Sequence, residues 1–372
     1  MKNTAKIYFD NNATTYLQPE VVVCMRGLMK EPLNPSSLHS FGRRARNIVE
    51  EVRKKILEKL NASNMRLVFT ASGTESNNLA LKGLSGYKII TSNIEHPSIL
   101  NNSHIDMVHI SVDKNGLVNL EELDKVLHNE FNLGNEKLLV SVMLANNETG
   151  VIEPLKEIVK IAKKYKALVH SDAVQALGKI QLDILDLGLD LITISAHKMG
   201  GPVGVAALIF NKNVKLESII EGGAQEKNYR AGTENVLAIA GWGAAITNLK
   251  NEKNIFLEKL RGELETAILQ ITSQTIICAS QVLRLPNTSC ILMPNVSGET
   301  QLIDFDLNNI AISTGSACSS GKITTSHVLK SMGIEENLAK NAIRVSLGVN
   351  NTLDEVVRFI EVWGNLYKRL NK

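Results

Sequence analysis

Residues 167–210, ALVHSDAVQALGKIQLDILDLGLDLITISAHKMGGPVGVAALIF, hold three short apolar runs: ALVH at 167–170, DLITIS at 190–195 and VAALIF at 205–210. Each run is too short for a helix and rich in branched side chains, and each is bounded by polar or glycine-rich residues, so each predicts a buried strand. The first two end in unusual polar clusters, Ser171-Asp172-Ala173-Val174-Gln175 and Ser195-Ala196-His197-Lys198. In open α/β sheets, ligands sit beyond the carboxyl ends of the strands, so these clusters mark where function concentrates.

Working outward, the same rhythm appears in RLVFT at 66–70, YKIIT at 87–91 and KLLVSVMLA at 137–145, with helical stretches between. Strands alternating with helices predict a mostly parallel sheet wrapped by helices, an α/β fold. Before the sheet, Ala45, Ile48, Val49, Val52, Ile56 and Leu60 recur at three- and four-residue intervals, which predicts a helix of about five turns with one apolar stripe. Its other face reads as Arg, Lys and Glu. After about residue 250, a charged amphipathic segment leads to SCILM, AIST and AIRVSL, with a closing helix VVRFIEVWGNLYKRL. This reads as a separate small α+β unit. The expected division is a large domain over 15–250 and a small one over 251–372 that also takes in residues 1–14.

Composition sets outer limits. The 372 residues are 44% apolar, enough for a sizeable core, and the net charge of +3 among 41 basic and 38 acidic residues gives no reason to expect a nucleic-acid or acidic-lipid partner. The opening MKNTAKIYFDNN has no apolar leader region, and no stretch reaches the roughly 18 apolar residues of a spanning helix, so a cytoplasmic protein is expected. Four cysteines, Cys24, Cys278, Cys290 and Cys318, stand far apart without a C-x-x-C pair, which suggests neither a disulfide framework nor a metal site.

The remaining strand ends add further groups. After 66–70 comes Ala71-Ser72-Gly73-Thr74-Glu75, where Ser72 and Glu75 have capping-box spacing and Gly73 allows close backbone approach. An anion such as a phosphate fits there, and an ordinary capped helix start has the same sequence. Glu95-His96-Pro97 follows 87–91, and Asn146-Asn147-Glu148-Thr149-Gly150 follows 137–145. Asp172 is either a helix cap or the carboxylate that keeps a pyridine nitrogen protonated. Lys198, directly before a glycine-rich turn, suits an amine that bonds a carbonyl and then swings aside. Cys318 stands in Thr314-Gly315-Ser316-Ala317-Cys318-Ser319-Ser320-Gly321, small residues from which a thiolate can reach a substrate, whereas Cys24, Cys278 and Cys290 read as buried fillers. Arg344, inside the apolar AIRVSL, requires a carboxylate, either a structural partner or that of a substrate.

Together these stretches resemble the cysteine desulfurases of the type I pyridoxal-phosphate fold, the class V aminotransferase-like family, in the group whose cysteine sits in an SGSAC mobile loop. The resemblance rests on YFDNNATT at 8–15, NPSSLH at 34–39, FTASGTESNN, NNETG, SDAVQ, SAHKMGGPVG, GGAQEKNYRAGTEN, STGSACSSG and IRVSLG, and so spans nearly the whole chain. It implies a large domain with a seven-stranded sheet, the cofactor pyridoxal 5'-phosphate, and conversion of L-cysteine to L-alanine with a persulfide on Cys318. Lys198 is then the Schiff-base lysine, Asp172 the pyridinium partner, His96 the ring-stacking acid/base and Gln175 the partner of the ring hydroxyl. Gly73, Thr74, Ser195 and His197 hold the phosphate, and Asn147 and Arg344 the substrate carboxylate. The family pattern further implies a homodimer in which Thr233 reaches the partner's phosphate site, and a sulfur acceptor that is an iron–sulfur scaffold or a tRNA-thiolation enzyme. Two positions depart from the pattern: Ala224 replaces the third glycine of GGGQE, and Thr325 replaces a proline. Another reaction on the same scaffold, such as transamination or selenocysteine lysis, and a non-catalytic scaffold are the competing readings. Cys318 counts against transamination, which needs no thiol, while selenocysteine lysis stays open because a C–Se bond breaks in the same way; the joint presence of Lys198, Asp172, His96 and Cys318 counts against the scaffold.

Overall fold

The computed structural model describes residues 6–249, 252–314 and 325–371. The described strands are β1 (Ile7–Tyr8), β2 (Met65–Thr70), β3 (Lys88–Ser92), β4 (Met107–Ile110), β5 (Leu138–Ser141), β6 (Leu168–Asp172), β7 (Leu191–Ser195), β8 (Ala206–Asn211), β9 (Ile276–Ile277), β10 (Thr288–Leu292), β11 (Ile310–Ala311), β12 (Ser313–Thr314) and β13 (Ala342–Ser346).

Seven of these form the main sheet in the order β2-β8-β7-β6-β5-β3-β4. Neighbours pair in parallel from β7 through β4, while β8 runs antiparallel to both β7 and β2. Six strands therefore point one way and only β8 opposes them. The carboxyl ends of β2, β3, β5, β6 and β7 consequently open on one edge. Side chains alternate between the two faces of the sheet, as a period of two requires. Phe69, Ile90, Val140, Val169 and Ile192 enter one apolar core with the helices Ser40–Lys59, Leu155–Lys164 and Val236–Thr247; Val68, Ile89, Leu139, Leu191 and Leu208 enter another beside the helix Gly73–Lys82.

Six of the seven strands fall where the apolar runs predict them. The seventh, β4, reads Met-Val-His-Ile at the sheet's edge and is only partly buried, so its pattern is too polar to announce a strand. The helix expected around 41–60 spans Ser40–Lys59, with Ala45, Val49, Val52 and Ile56 buried. Its charged face differs from expectation at Arg53, which is buried. Arg53 makes a bidentate pair with Glu226, at 2.8 and 3.0 Å, and also donates to the main-chain oxygen of Leu67. Glu226, Lys227 and Asn228 all have positive φ, and the buried pair ties this strained turn to the start of the sheet.

Beyond residue 250, the antiparallel sheet β12-β13-β10-β9 packs with the helices Glu252–Ile271 and Leu353–Leu370 around a second core. The N-terminal segment joins it: β1 pairs with β11, and Phe9, fully buried, packs on Phe359 at 5.9 Å. Cys278 and Cys290 are buried here, as expected for fillers, but Cys24 is only half-buried, with its thiol 3.6 Å from the main-chain oxygen of Ala240. Its helix, Pro19–Leu28, turns mostly exposed residues outward and buries only Val21, so the run VVVC overstates its burial.

Candidate active site

The five strand ends converge on a cavity of about 250 Å³. Gly73 and Thr74 follow β2, His96 follows β3, Asn147 follows β5, Asp172 and Gln175 come from β6 and the turn after it, and His197 and Lys198 follow β7; all eight line the cavity. Residues separated by more than a hundred positions meet because parallel strands place their carboxyl ends side by side.

Each group is held by its own scaffold. Ser72 caps the helix Gly73–Lys82 by accepting from the Glu75 amide at 3.2 Å, while Glu75 accepts from the Ala71 amide at 2.9 Å and from Arg230 at 2.8 Å. The amides of Gly73 and Thr74 begin the helix, where no intrahelical acceptor exists, and so present N–H groups suited to an anion. A Cβ on Gly73 would lie 2.9 Å from Val174 Cγ2, so only a glycine lets the backbone come this close. Asp172 accepts from Asn77 Nδ2 at 2.7 Å and from the Val174 amide at 2.9 Å, which fixes its carboxylate at the cavity floor. His96 accepts from the Ser98 amide at Nδ1, 3.1 Å, which leaves the proton of the neutral ring on Nε2. Burial lowers its pKa, against the pull of Asp172.

Lys198 is half-buried, and its Nζ donates to the main-chain oxygens of Asn12 (2.5 Å) and Ala13 (2.6 Å). Burial first, then the positive charge of Arg344, brings its pKa down from 10.5 to about 8, with Asp10 and Asp172 opposing. A sizeable neutral fraction near physiological pH makes the amine a nucleophile and a base. His197 bonds Thr14 Oγ1 at 3.2 Å and is pushed down to about 4 by burial, then by Lys198 and Lys179, so it is a neutral donor.

Three expected residues lie off the cavity wall. Ser195 ends β7, 1% exposed, behind the lining. Arg344, on β13, donates to Asp10 Oδ1 at 2.7 Å and to the main-chain oxygen of Asn147 at 3.0 Å, while among the described residues its buried Nε has no partner. Thr233 is exposed on the segment before the helix Val236–Thr247 and does not line the cavity of its own chain. Cys318 lies outside the described residues. Of the two departures, Ala224 has φ −82°, which any residue adopts, and Thr325 Oγ1 bonds Glu336 at 3.2 Å.

Sequence reasoning assigned no role to Asn12 or Lys179, yet both are buried against this site. It also passed over Glu95, whose carboxyl is buried, accepts from Ser92 and the Met143 amide, and is raised to about 8 chiefly by burial. The signal for Asn12 was the polar run YFDNNATT, too far along the chain from the strand ends to be linked to them, and that for Glu95 was its place just after the run 87–91.

The class-V aminotransferase family model matches residues 7–359. The chain is 41% identical to "Cysteine desulfurase IscS" of Dictyoglomus turgidum over 96% of its own length and 95% of the relative's. Among solved structures, a NifS-like protein from Rickettsia africae superposes with a TM-score of 0.91 at 44% identity, covering 98% of this chain and all of that one. A structure described as "SspA in complex with cysteine" gives 0.80 at 28% identity, covering 94% of this chain and all of the other. Pyridoxal 5'-phosphate, the cofactor of that family, fits the residues present: a close-approach glycine at a helix start for the phosphate, a carboxylate at the floor for the ring nitrogen, and a low-pKa amine for the aldehyde.

Proposed function

Because the chain belongs to the class-V aminotransferase family, we propose that it is a pyridoxal-phosphate-dependent cysteine desulfurase, which converts L-cysteine to L-alanine and takes the sulfur as a persulfide on Cys318. The observation that carries this reading is the meeting of Lys198, Asp172, His96 and the Gly73-Thr74 turn around one cavity.

When bound there, the cofactor supplies an electron sink for negative charge at the Cα of the amino acid. Gly73 and Thr74 offer amides to the phosphate, with His197 as a neutral donor and Ser195 behind them. Asp172, already oriented by Asn77, would hold a proton on the ring nitrogen, and Gln175 would donate to the ring oxygen. Lys198, with its lowered pKa, would take the Cα proton, and His96 would serve as acid and base through Nε2. Asn147 and Arg344 take the substrate carboxylate, which must share the guanidinium with Asp10. The Cys318 thiolate then attacks the substrate sulfur. An S–S bond forms as the Cβ–S bond breaks, the bonding pair goes to carbon, and carbon is protonated, so that thiol plus cysteine becomes persulfide plus alanine.

The same proposal includes a homodimer in which Thr233 reaches the partner's phosphate site, supported by its exposure and by the Arg230–Glu75 pair that ties its segment to the helix start. It also includes a sulfur acceptor, an iron–sulfur scaffold or a tRNA-thiolation enzyme, and a cytoplasmic setting. No helix among the described residues is long and apolar enough to cross a membrane.

The test is incubation of the purified protein with L-cysteine, following alanine and protein-bound sulfane sulfur. Stoichiometric sulfur loading is expected for the wild type and none for Cys318→Ala. Alanine release by Cys318→Ala at the wild-type rate would remove that residue from the reaction.

A further inference from the structure

Behind the cavity wall sits a lysine that the mechanism does not use. Lys179 is 6% exposed, and its Nζ contacts two neutral oxygens, Gln175 Oε1 at 2.6 Å and Asn12 Oδ1 at 2.7 Å. The charged groups that act on it are Lys198 and Arg344, both positive. Among the described residues an amine placed there gains no ion pair. Its burial is therefore costly, and what it secures is the geometry of two amides.

The local chain puts it there. Residues 173–180 form successive turns, with the Leu177 amide donating to the Ala173 oxygen at 3.3 Å and the Ile180 amide to the Ala176 oxygen at 3.1 Å. Gly178, at φ +85°, turns the chain immediately before Lys179, and a Cβ there would stand 2.8 Å from the Cβ of Met199. The stretch thus packs against the residue next to Lys198, and Lys179 lies one turn beyond Gln175.

A side-chain amide has one accepting end and one donating end. Both partners of Lys179 are oxygens, so the amine donates to both whatever its charge, and the Gln175 oxygen is committed to it. The Gln175 nitrogen must then face the other way. One of its N–H groups meets the main-chain oxygen of Asn12 at 2.9 Å, the same oxygen that accepts from Lys198. The other is left for the cavity that Gln175 lines.

We infer that Lys179 is a positioning residue that locks the Gln175 amide with its nitrogen toward the cofactor, so that Gln175 can only donate and the site selects the deprotonated form of the ring oxygen. This rests on the cofactor assigned under the proposed function. Without Lys179 only the bond to the Asn12 main-chain oxygen holds the amide's orientation, and turning over, which would set its oxygen against an anionic oxygen, costs less.

The experiment compares holoenzymes by the visible spectrum of the bound cofactor and by the rate of cofactor loss on dilution, for the wild type, Gln175→Ala, Lys179→Met and the double variant. Lys198→Ala controls the underlying assignment: if the wild type shows no visible band that this change abolishes, the cofactor reading itself fails, whatever Lys179 does. With that band in place, Lys179→Met is expected to shift it in the same direction as Gln175→Ala and to speed cofactor loss about tenfold or more, the scale of a hydrogen bond to a charged acceptor. The double variant should lose cofactor no faster than Gln175→Ala alone, because one residue acts through the other. Unchanged spectrum and retention in Lys179→Met, or effects that multiply in the double variant, would overturn the inference. Gln175→Glu keeps the test alive if Lys179→Met does not fold. A carboxylate presents an acceptor to the ring oxygen, so this variant should retain cofactor less well than Gln175→Ala; equal or better retention would mean that no donor is required there.

Discussion

Replacing Lys198 by Met should leave the cofactor-free protein about as stable as the wild type at pH 7, yet about 2 kcal/mol less stable at pH 10.5. The reason lies in where the amine sits. In the unfolded chain its pKa is near 10.5, and in the fold burial, with Arg344 adding to it, brings it to about 8. Folding therefore expels a proton between those two values. Below about pH 8 the amine is charged in both states, and the folded state bears the whole penalty of holding a buried cation. As the pH rises through the window the folded amine becomes neutral, and above 10.5 the penalty is gone, so this group's contribution to stability grows with pH.

The span from 10.5 to about 8 corresponds to about 3 kcal/mol. Lys198 is only half-buried on the cavity wall, and solvent screening trims this to about 2–3 kcal/mol. Against it stand the hydrogen bonds to the main-chain oxygens of Asn12 and Ala13, worth about 1 kcal/mol each. At pH 7, Met removes the charge penalty and loses the two bonds, and these nearly cancel. At pH 10.5 only the loss remains. The assay is urea unfolding of both proteins, stripped of cofactor, at intervals across this range; lysines and tyrosines that do not interact with Lys198 cancel in the difference, and repeating the pair in a Lys179→Met background removes the contribution of Lys179, on which Lys198 acts. A difference that stays constant from pH 7 to 10.5 would refute the assignment of Lys198 as the depressed amine of the site.

Two further changes probe the scaffold. Gly73→Ala sets a Cβ 2.9 Å from Val174 Cγ2, and the shift needed to relieve it should weaken cofactor retention by about tenfold, since overpacking of this size costs about 1–3 kcal/mol; equilibrium dialysis measures it, and unaltered retention would show that the turn has slack. Arg53→Met strands the Glu226 carboxylate, whose side chain is 1% exposed, and should lower stability by about 3–5 kcal/mol. Urea unfolding reads this loss, and adding Glu226→Gln should recover part of it.

Much of the sheet and most of the cavity wall were legible because they depend on short-range pattern. Branched apolar runs of four to six residues announce buried strands, and a carboxylate or a lysine directly after such a run stands out from its surroundings. β4 escaped because an edge strand exposes alternate residues and Met-Val-His-Ile carries little apolar signal. Arg53 escaped for a different reason. On a helix with Arg44, Arg46, Lys54 and Lys55 close by, nothing in the local sequence separates a buried guanidinium from an exposed one; its partner Glu226 lies 173 positions away. Asn12 and Lys179 are the same case, 167 positions apart. A lysine in ALGKIQ reads as surface, and only the crossing of the N-terminal segment over the strand ends makes it part of the site.

That crossing explains why the site tolerates its own charge. Lys198 and Arg344 lower the proton affinity of Lys179, and Arg344 lowers that of Lys198, whereas the acids acting on Lys198 are Asp10 and Asp172. Such an imbalance destabilises an empty fold and is offset when anions enter. A phosphate at the helix start and a carboxylate near Arg344 are the two anions that the proposed reaction brings, and each binds the folded state alone, so each adds stability by mass action. Asp10 occupies one nitrogen of Arg344 at 2.7 Å, while among the described residues the buried Nε has no partner. On the proposed function, a substrate carboxylate that engaged Nε would complete the fork without expelling Asp10 from Nη2, so the guanidinium would not be left unpaired during binding. On the same proposal, charge that costs stability in the cofactor-free protein would thus become the means by which two anionic groups, the cofactor's phosphate and the amino acid's carboxylate, are drawn to the site.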